Sequence, residues 1–154
     1  MNVFLPYCEI AASVRCLDDL RLGKQLVECQ QILNVLRGRR KGYANHPAVV
    51  MFRGHEGFLL EYALEAAMEW EGRKHKTHGS WIAILRDEME ALPDRDATSP
   101  WWFGEPWFHI AHQRNLVRKD PARYGPLFPG RPLMTGYPWP KEQVGVWDDK
   151  RLDP

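Results

Sequence analysis

Apolar residues recur along this chain at the spacing of a helix face. Leu22, Leu26, Cys29, Leu33 and Leu36 follow one another at alternating steps of four and three, which predicts an amphipathic helix over residues 13–37. Ser13 can cap its start and Gly38 can end it. Gly23 is an interior flaw that marks close approach of another backbone. On a helical wheel Arg15 falls near the centre of the apolar stripe, with Asp18 and Asp19 on its flanks. Two readings follow. Buried charge is costly unless paired, so the stripe ends in a polar pocket at one end of the core. Otherwise the helix begins only at Leu17 and these charges lie in solvent.

After the basic loop RGRRKGYANHP (37–47), Pro47 suits a first helical position and predicts a short helix over 47–53. Residues 55–72 are rich in Ala, Leu and Glu and predict a strong helix that stops near Gly72. Further helices are predicted over 80–91, where Trp81, Ile84, Leu85 and Glu88 are spaced by threes and fours, and over 105–119. RKHKTHGS (73–80) and LPDRDATSP (92–100) read as loops. From Asp120 onward the tail holds most of the prolines, yet also Tyr124, Phe128, Tyr137, Trp139 and Trp147. It reads as irregular, ordered chain wrapped on the domain. The expected fold class is all-α: a compact single domain over 1–154, of four or five helices, with a long Pro- and Trp-rich C-terminal arm over 120–154.

A chain of 154 residues is one domain's worth and can bury a core without staples. Its 44% hydrophobic and 27% charged residues are ordinary for a globular protein. No apolar run is long enough to span a bilayer, and the opening MNVFLPYCEI lacks the basic-then-apolar pattern of a signal peptide. A cytoplasmic protein with no membrane partner is expected. Cys8, Cys16 and Cys29 are odd in number and fit no zinc pattern, so reduced thiols are expected, with Cys29 as a small core residue. The net charge of +1 removes any bulk-charge argument for nucleic acid. Residues 1–60 and 106–154 are each net basic, however, and 61–105 is net acidic, so a basic face forms if the two ends meet. Seven Trp residues suit a packed core and also suit stacking on bases.

Gly-rich phosphate loops, GxSxG, HExxH and CxxC are all absent from the sequence. His75 and His78 share i, i+3 spacing in a Lys-rich loop and read as solvated side chains rather than metal ligands. His109 and His112 repeat the spacing beside Gln113, Arg114 and Lys119. They read either as polar contacts to an anion or as part of a mixed-charge surface helix. No metal and no cofactor are expected.

Three pieces carry the functional expectation: LDDLRLGKQLVE (17–28), NHPAVVMFRGHEGFL (45–59) and HIAHQRNLVRKDPARYGPLFP (109–129). In this order they resemble the pyrimidine-dimer DNA glycosylase family, whose prototype is phage endonuclease V. The MN-x-FLP opening and the LDD-x-RLGKQ stretch resemble a bacterial and phage branch of it, over nearly the whole chain. The resemblance to the characterised enzyme rests on Pro47, Gly54 and His55, the long helix that follows, and the Gln113, Leu116, Lys119 pattern.

The resemblance implies an all-α protein that acts on double-stranded DNA and excises a base. The chain's first α-amine would attack the sugar C1′, a helix carboxylate would move protons, and β-elimination would nick the strand. An α-amine ordinarily titrates about 2.5 pH units below a lysine, so a useful share is a neutral nucleophile near pH 7. By resemblance the catalytic residues are Met1, Asn2 and Asp19, with Asp18 and Glu28 as alternatives for the carboxylate. Arg15, Arg21, Lys24 and Gln25 would meet phosphate or sugar. His55 would lie near the extruded nucleotide, and His112, Gln113, Arg114, Arg118 and Lys119 would hold the flanking phosphates or the opposite strand. A monomer is expected. Asn2 after Met1 disfavours removal of Met1, which leaves two enzymatic alternatives open: a carboxylate-activated water, or other chemistry on a modified base. A non-catalytic DNA-binding protein is the third alternative.

Overall fold

The computed structural model describes residues 1–73, 75, 81–92, 99–130 and 139–140. Within them the chain forms seven helices and no strand: α1 Ile10–Arg15, α2 Asp19–Leu36, α3 Pro47–Val50, α4 Glu56–Gly72, α5 Trp81–Glu90, α6 Pro106–Lys119 and α7 Pro121–Tyr124. The all-helical expectation holds, but the count of four or five does not. Two local events account for the difference.

The first is a break in the long N-terminal helix. Asp18 is extended (ψ 165°), and its side chain accepts the Arg21 N–H as an N-cap, so α2 starts afresh at Asp19. The Asp18 N–H donates to the Tyr124 hydroxyl, and that hydroxyl donates back to the Asp18 carboxylate (2.8 Å). Ser13 lies inside α1 rather than at a helix start, where its hydroxyl closes a turn with the Tyr7 backbone. The second event is α7, a single turn begun by Pro121 and capped by Asp120. It falls in the segment expected to be irregular. Most of the rest of that arm, including Tyr137 and Trp147, lies outside the described residues.

Helix α4 is the centre of the fold and packs on α1, α2 and α5. It is apolar on several sides, with Phe58, Leu59, Leu60, Tyr62, Ala63, Ala66 and Ala67 all buried, as a helix enclosed by others must be. Gly23 lets α2 approach it. A Cβ there would come within 2.9 Å of the Trp70 ring.

The opening segment is drawn into this core. Val3, Phe4 and Leu5 are buried, and burial of unpaired backbone groups is costly. Side chains of three helices supply the partners. The Phe4 N–H donates to the buried Gln25 Oε1 (2.8 Å), and the Phe4 carbonyl accepts from the Tyr62 hydroxyl (2.9 Å). The Leu5 carbonyl accepts from His109 Nδ1 (2.8 Å), and the Pro6 carbonyl accepts from Gln113 Nε2 (2.8 Å). These bonds fix the direction in which Met1 leaves the core. Among the described residues no helix is long and apolar enough to cross a membrane.

Candidate functional site

The anchored opening segment brings the Met1 amine to 3.5 Å from Oε2 of Glu28, on the third turn of α2. The Asn2 backbone N–H donates to the same oxygen (3.2 Å). Both partners are nearly enclosed, with side chains 7% and 13% exposed. Asn2 also holds its side-chain amide atoms buried and without a hydrogen-bond partner among the described residues, a state that calls for an explanation in a native fold.

Two cavities open on either side of this pair. The first, of about 380 Å³, is walled by Met1, Asn2 and Phe4 and by Leu20, Arg21, Lys24, Gln25 and Glu28 of α2, with Lys119 closing it from the end of α6. The second, of about 570 Å³, is walled by Met1, Glu28, Gln31 and Val35 and by the loop residues Arg40, Lys41, Gly42 and Tyr43. Residues 21, 24, 25, 28 and 31 lie at steps of three and four, so one stripe of α2 serves both. His46 is close enough to feel the pair. Desolvation first, and then the charge of the chain's amine, hold its imidazole below the ordinary histidine range, while Glu28 pulls the other way.

Cations gather at the first cavity. Desolvation, followed by the nearby charges of Arg118, Arg21 and Lys24, lowers the Lys119 pKa below that of an ordinary lysine. Lysine and arginine drawn from α2 and from the end of α6 therefore share one rim, and the two net-basic ends of the chain do meet. Such a rim favours an anion. Part of this charge is already committed, because Arg21 pairs with Asp18 and lies 3.9 Å from Asp120.

The residues expected at the site divide sharply. Met1, Asn2, Arg21, Lys24, Gln25 and Lys119 come together, but Gln25 is buried and is spent on Phe4 and Tyr62. Asp19 does not join them. Its exposed carboxylate is bonded to Arg73 (2.9 Å) and His75 (3.0 Å), and these two bonds hold its pKa below the usual carboxylate range. Arg15 is exposed on α1, where its Nε donates to the Ala11 carbonyl. His55 precedes α4 and lines neither cavity.

His109 and His112 are core residues, not a surface pair. His112 is 2% exposed, with its ring set edge-on to Phe4 and Phe108. Burial, and then the neighbouring His109, push its pKa down to about 3. His109 donates from Nδ1 to Leu5 and accepts at Nε2 from the Gly104 N–H (3.0 Å), the pattern of a neutral ring. Gln113 is turned to Pro6. Arg114 is half-buried, and Arg118 is exposed at the end of α6. Among the described residues no group of three or more His, Cys, Asp or Glu could hold a metal ion.

Sequence reasoning ranked Glu28 only as an alternative and missed Gln31, Arg40, Lys41 and Tyr43. The stripe 21, 24, 25, 28, 31 was a readable signal for the first two. For the loop no periodicity exists to read.

An amine beside a carboxylate, between two cavities and under a cationic rim, can attack an electrophilic carbon while the carboxylate shuttles protons. The family profile described as pyrimidine dimer DNA glycosylase matches residues 1–83. That span holds Met1, α1 to α4 and the whole second cavity, whereas Lys119 and the Gln113, Leu116, Lys119 pattern lie beyond it. No curated protein and no solved structure matches the chain.

Proposed function

The chain belongs to the pyrimidine dimer DNA glycosylase family, and on that premise we propose that it excises a base from double-stranded DNA with the Met1 amine as nucleophile. The observation that carries this reading is the amine held 3.5 Å from the Glu28 carboxylate in a cleft rimmed by Arg21, Lys24 and Lys119. The carboxylate role passes from Asp19, which is engaged by Arg73 and His75, to Glu28.

In the proposed reaction the neutral amine attacks C1′. The N-glycosidic bond breaks with its electron pair passing to the base, which leaves carrying the proton that the amine gives up through Glu28. Ring opening, with O4′ taking a proton from water, gives an iminium between the amine nitrogen and C1′. Glu28 accepts the amine's proton and stabilises the cationic stages. Loss of a C2′ proton then expels the 3′ phosphate by β-elimination, and water releases the amine. The cations hold the flanking phosphates, where they make affinity fall with salt. Extrusion of the nucleotide costs a few kcal/mol, less for a damaged or mispaired base. No metal or cofactor is needed by this sequence of steps.

Borohydride trapping on a duplex with an abasic site tests the reading. The wild-type chain forms a covalent adduct through Met1. Glu28→Gln lowers the trapping rate by two orders of magnitude or more, the scale of a lost acid–base group, while Asp19→Asn acts on stability rather than on trapping. Trapping lost in Asp19→Asn and kept in Glu28→Gln would return the role to Asp19. DNA binding with neither adduct nor base release would leave a DNA-binding protein.

A further inference from the structure

We propose that the second cavity receives the extruded base, and that Tyr43 is the face on which this base stacks. The inference rests on the glycosylase reading and adds the site of base recognition, along with a preference for a single planar base.

An attacking amine must approach C1′ to about 3–3.5 Å, so C1′ lies where the two cavities meet. The base hangs from C1′ by one bond, and the phosphates hang from the far side of the sugar. The first cavity offers Arg21, Lys24 and Lys119, which suit the phosphates. The base then turns toward the other side. There it meets a cavity of about 570 Å³, within the range that encloses small organic ligands.

What lines that cavity suits a base. Tyr43 is 72% exposed at its mouth, and an aromatic face stacks on any planar base. The Gln31 side-chain amide offers a donor and an acceptor together, the pairing that reads a base edge. Arg40 and Lys41 make no ion pair among the described residues and are free to meet carbonyl or phosphate oxygens.

Tyr43 is also held in place against its own preference. It is the one described non-glycine residue with positive φ, at 68°, a conformation that concentrates at functional positions. The loop around it is anchored at several points. Arg37 and Arg39 both reach Glu88 (2.8 and 3.7 Å), the Arg40 N–H donates to the Asn34 carbonyl (3.1 Å), and the His46 N–H donates to the Tyr43 carbonyl (2.9 Å). The Tyr43 ring meets His46 edge-on. An exposed ring contributes little to the core, so packing does not account for a tyrosine at this strained position.

Photocrosslinking to a single-stranded oligonucleotide with 5-iodouracil at every thymine tests the assignment without any cost of extrusion. The adduct is expected at Tyr43, and adducts confined to other residues, or none, overturn it. Tyr43→Gly relieves the strained conformation, so its Tm is expected to stay level or rise. Its crosslinking yield is expected to drop at least tenfold more than its borohydride trapping at an abasic site, which has no base to stack. A lowered Tm, or crosslinking and trapping that fall in step, would make Tyr43 a structural residue and overturn the proposal. A wild-type chain that crosslinks at Tyr43 but traps no abasic DNA would remove the Schiff-base reading and still support base binding here.

Discussion

His112 shows how the surroundings of one side chain set its behaviour. Its folded pKa is about 3, against 6.5 for an ordinary histidine. Between those values the unfolded chain takes up a proton that the folded chain refuses. Stability is therefore full above about pH 6.5 and declines as pH falls toward 3. Urea unfolding at pH 7.5 and pH 4.5 is expected to show the wild type losing about 1 kcal/mol or more beyond the loss in His112→Gln. Equal losses in the two chains would assign the effect elsewhere. Lys24 and Lys119 act at the other extreme, at the surface. Replacing either with Ala is expected to weaken DNA binding and to reduce the slope of log K against log salt by about one unit, and an unchanged slope would take that residue off the contact surface. Of the candidate site, the sequence disclosed the chain's amine and the cations of α2 and α6. It ranked Asp19 above Glu28 by resemblance, and a wheel drawn for one unbroken helix from Ser13, with Asp19 on the flank of the apolar stripe, agreed with that choice. The break at Asp18 changes that phase, and Arg73 and His75, more than fifty residues away in the chain, claim the freed carboxylate.

At the scale of elements, the long helices were legible from different signals: apolar spacing in α2, helix-forming composition in α4 and a Glu-Pro start in α6, although the sequence points to Ser13 as the start of α2 and the helix begins at Asp19. The short ones depend on tertiary partners that no local pattern records. The Asp18 cap is stabilised by Tyr124, which belongs to the single turn of α7. The two departures from the expected helix count are thus one interaction seen from both ends. Gly23 was legible as a close-approach site, but what approaches is the Trp70 ring rather than another backbone. Substitution by Ala normally stabilises a helix interior by up to about 1 kcal/mol. Here the new Cβ would press on Trp70, which is itself stacked on His75 with ring centroids 4.1 Å apart. Overpacking of that kind costs about 1–3 kcal/mol. Gly23→Ala is therefore expected to lower the urea midpoint, and pairing it with Trp70→Leu should recover most of the loss. A stabilised single mutant would mean that the ring yields freely.

For the whole molecule, the position of the reactive end depends on the core. The opening segment is irregular chain with buried apolar side chains, and α2, α4 and α6 each give it a side-chain partner. Gln25 is the point at which two of these attachments meet, since its Oε1 accepts the Phe4 N–H and lies 3.0 Å from the Tyr62 hydroxyl, whose one proton is shared between that oxygen and the Phe4 carbonyl. It stands one turn before Glu28 on the same stripe of α2. Gln25→Leu keeps the volume and removes the acceptor, so the buried Phe4 N–H loses its partner at a cost of about 1–3 kcal/mol. The cations of the first cavity are untouched by that change. If the core positions the amine, Gln25→Leu should bind abasic DNA within about threefold of wild type under conditions where it remains folded, yet form the borohydride adduct at least tenfold more slowly. Binding and trapping reduced by the same factor would show that the segment finds Glu28 without being held. In that case the pairing of amine and acid would be a property of α2 alone rather than of the fold.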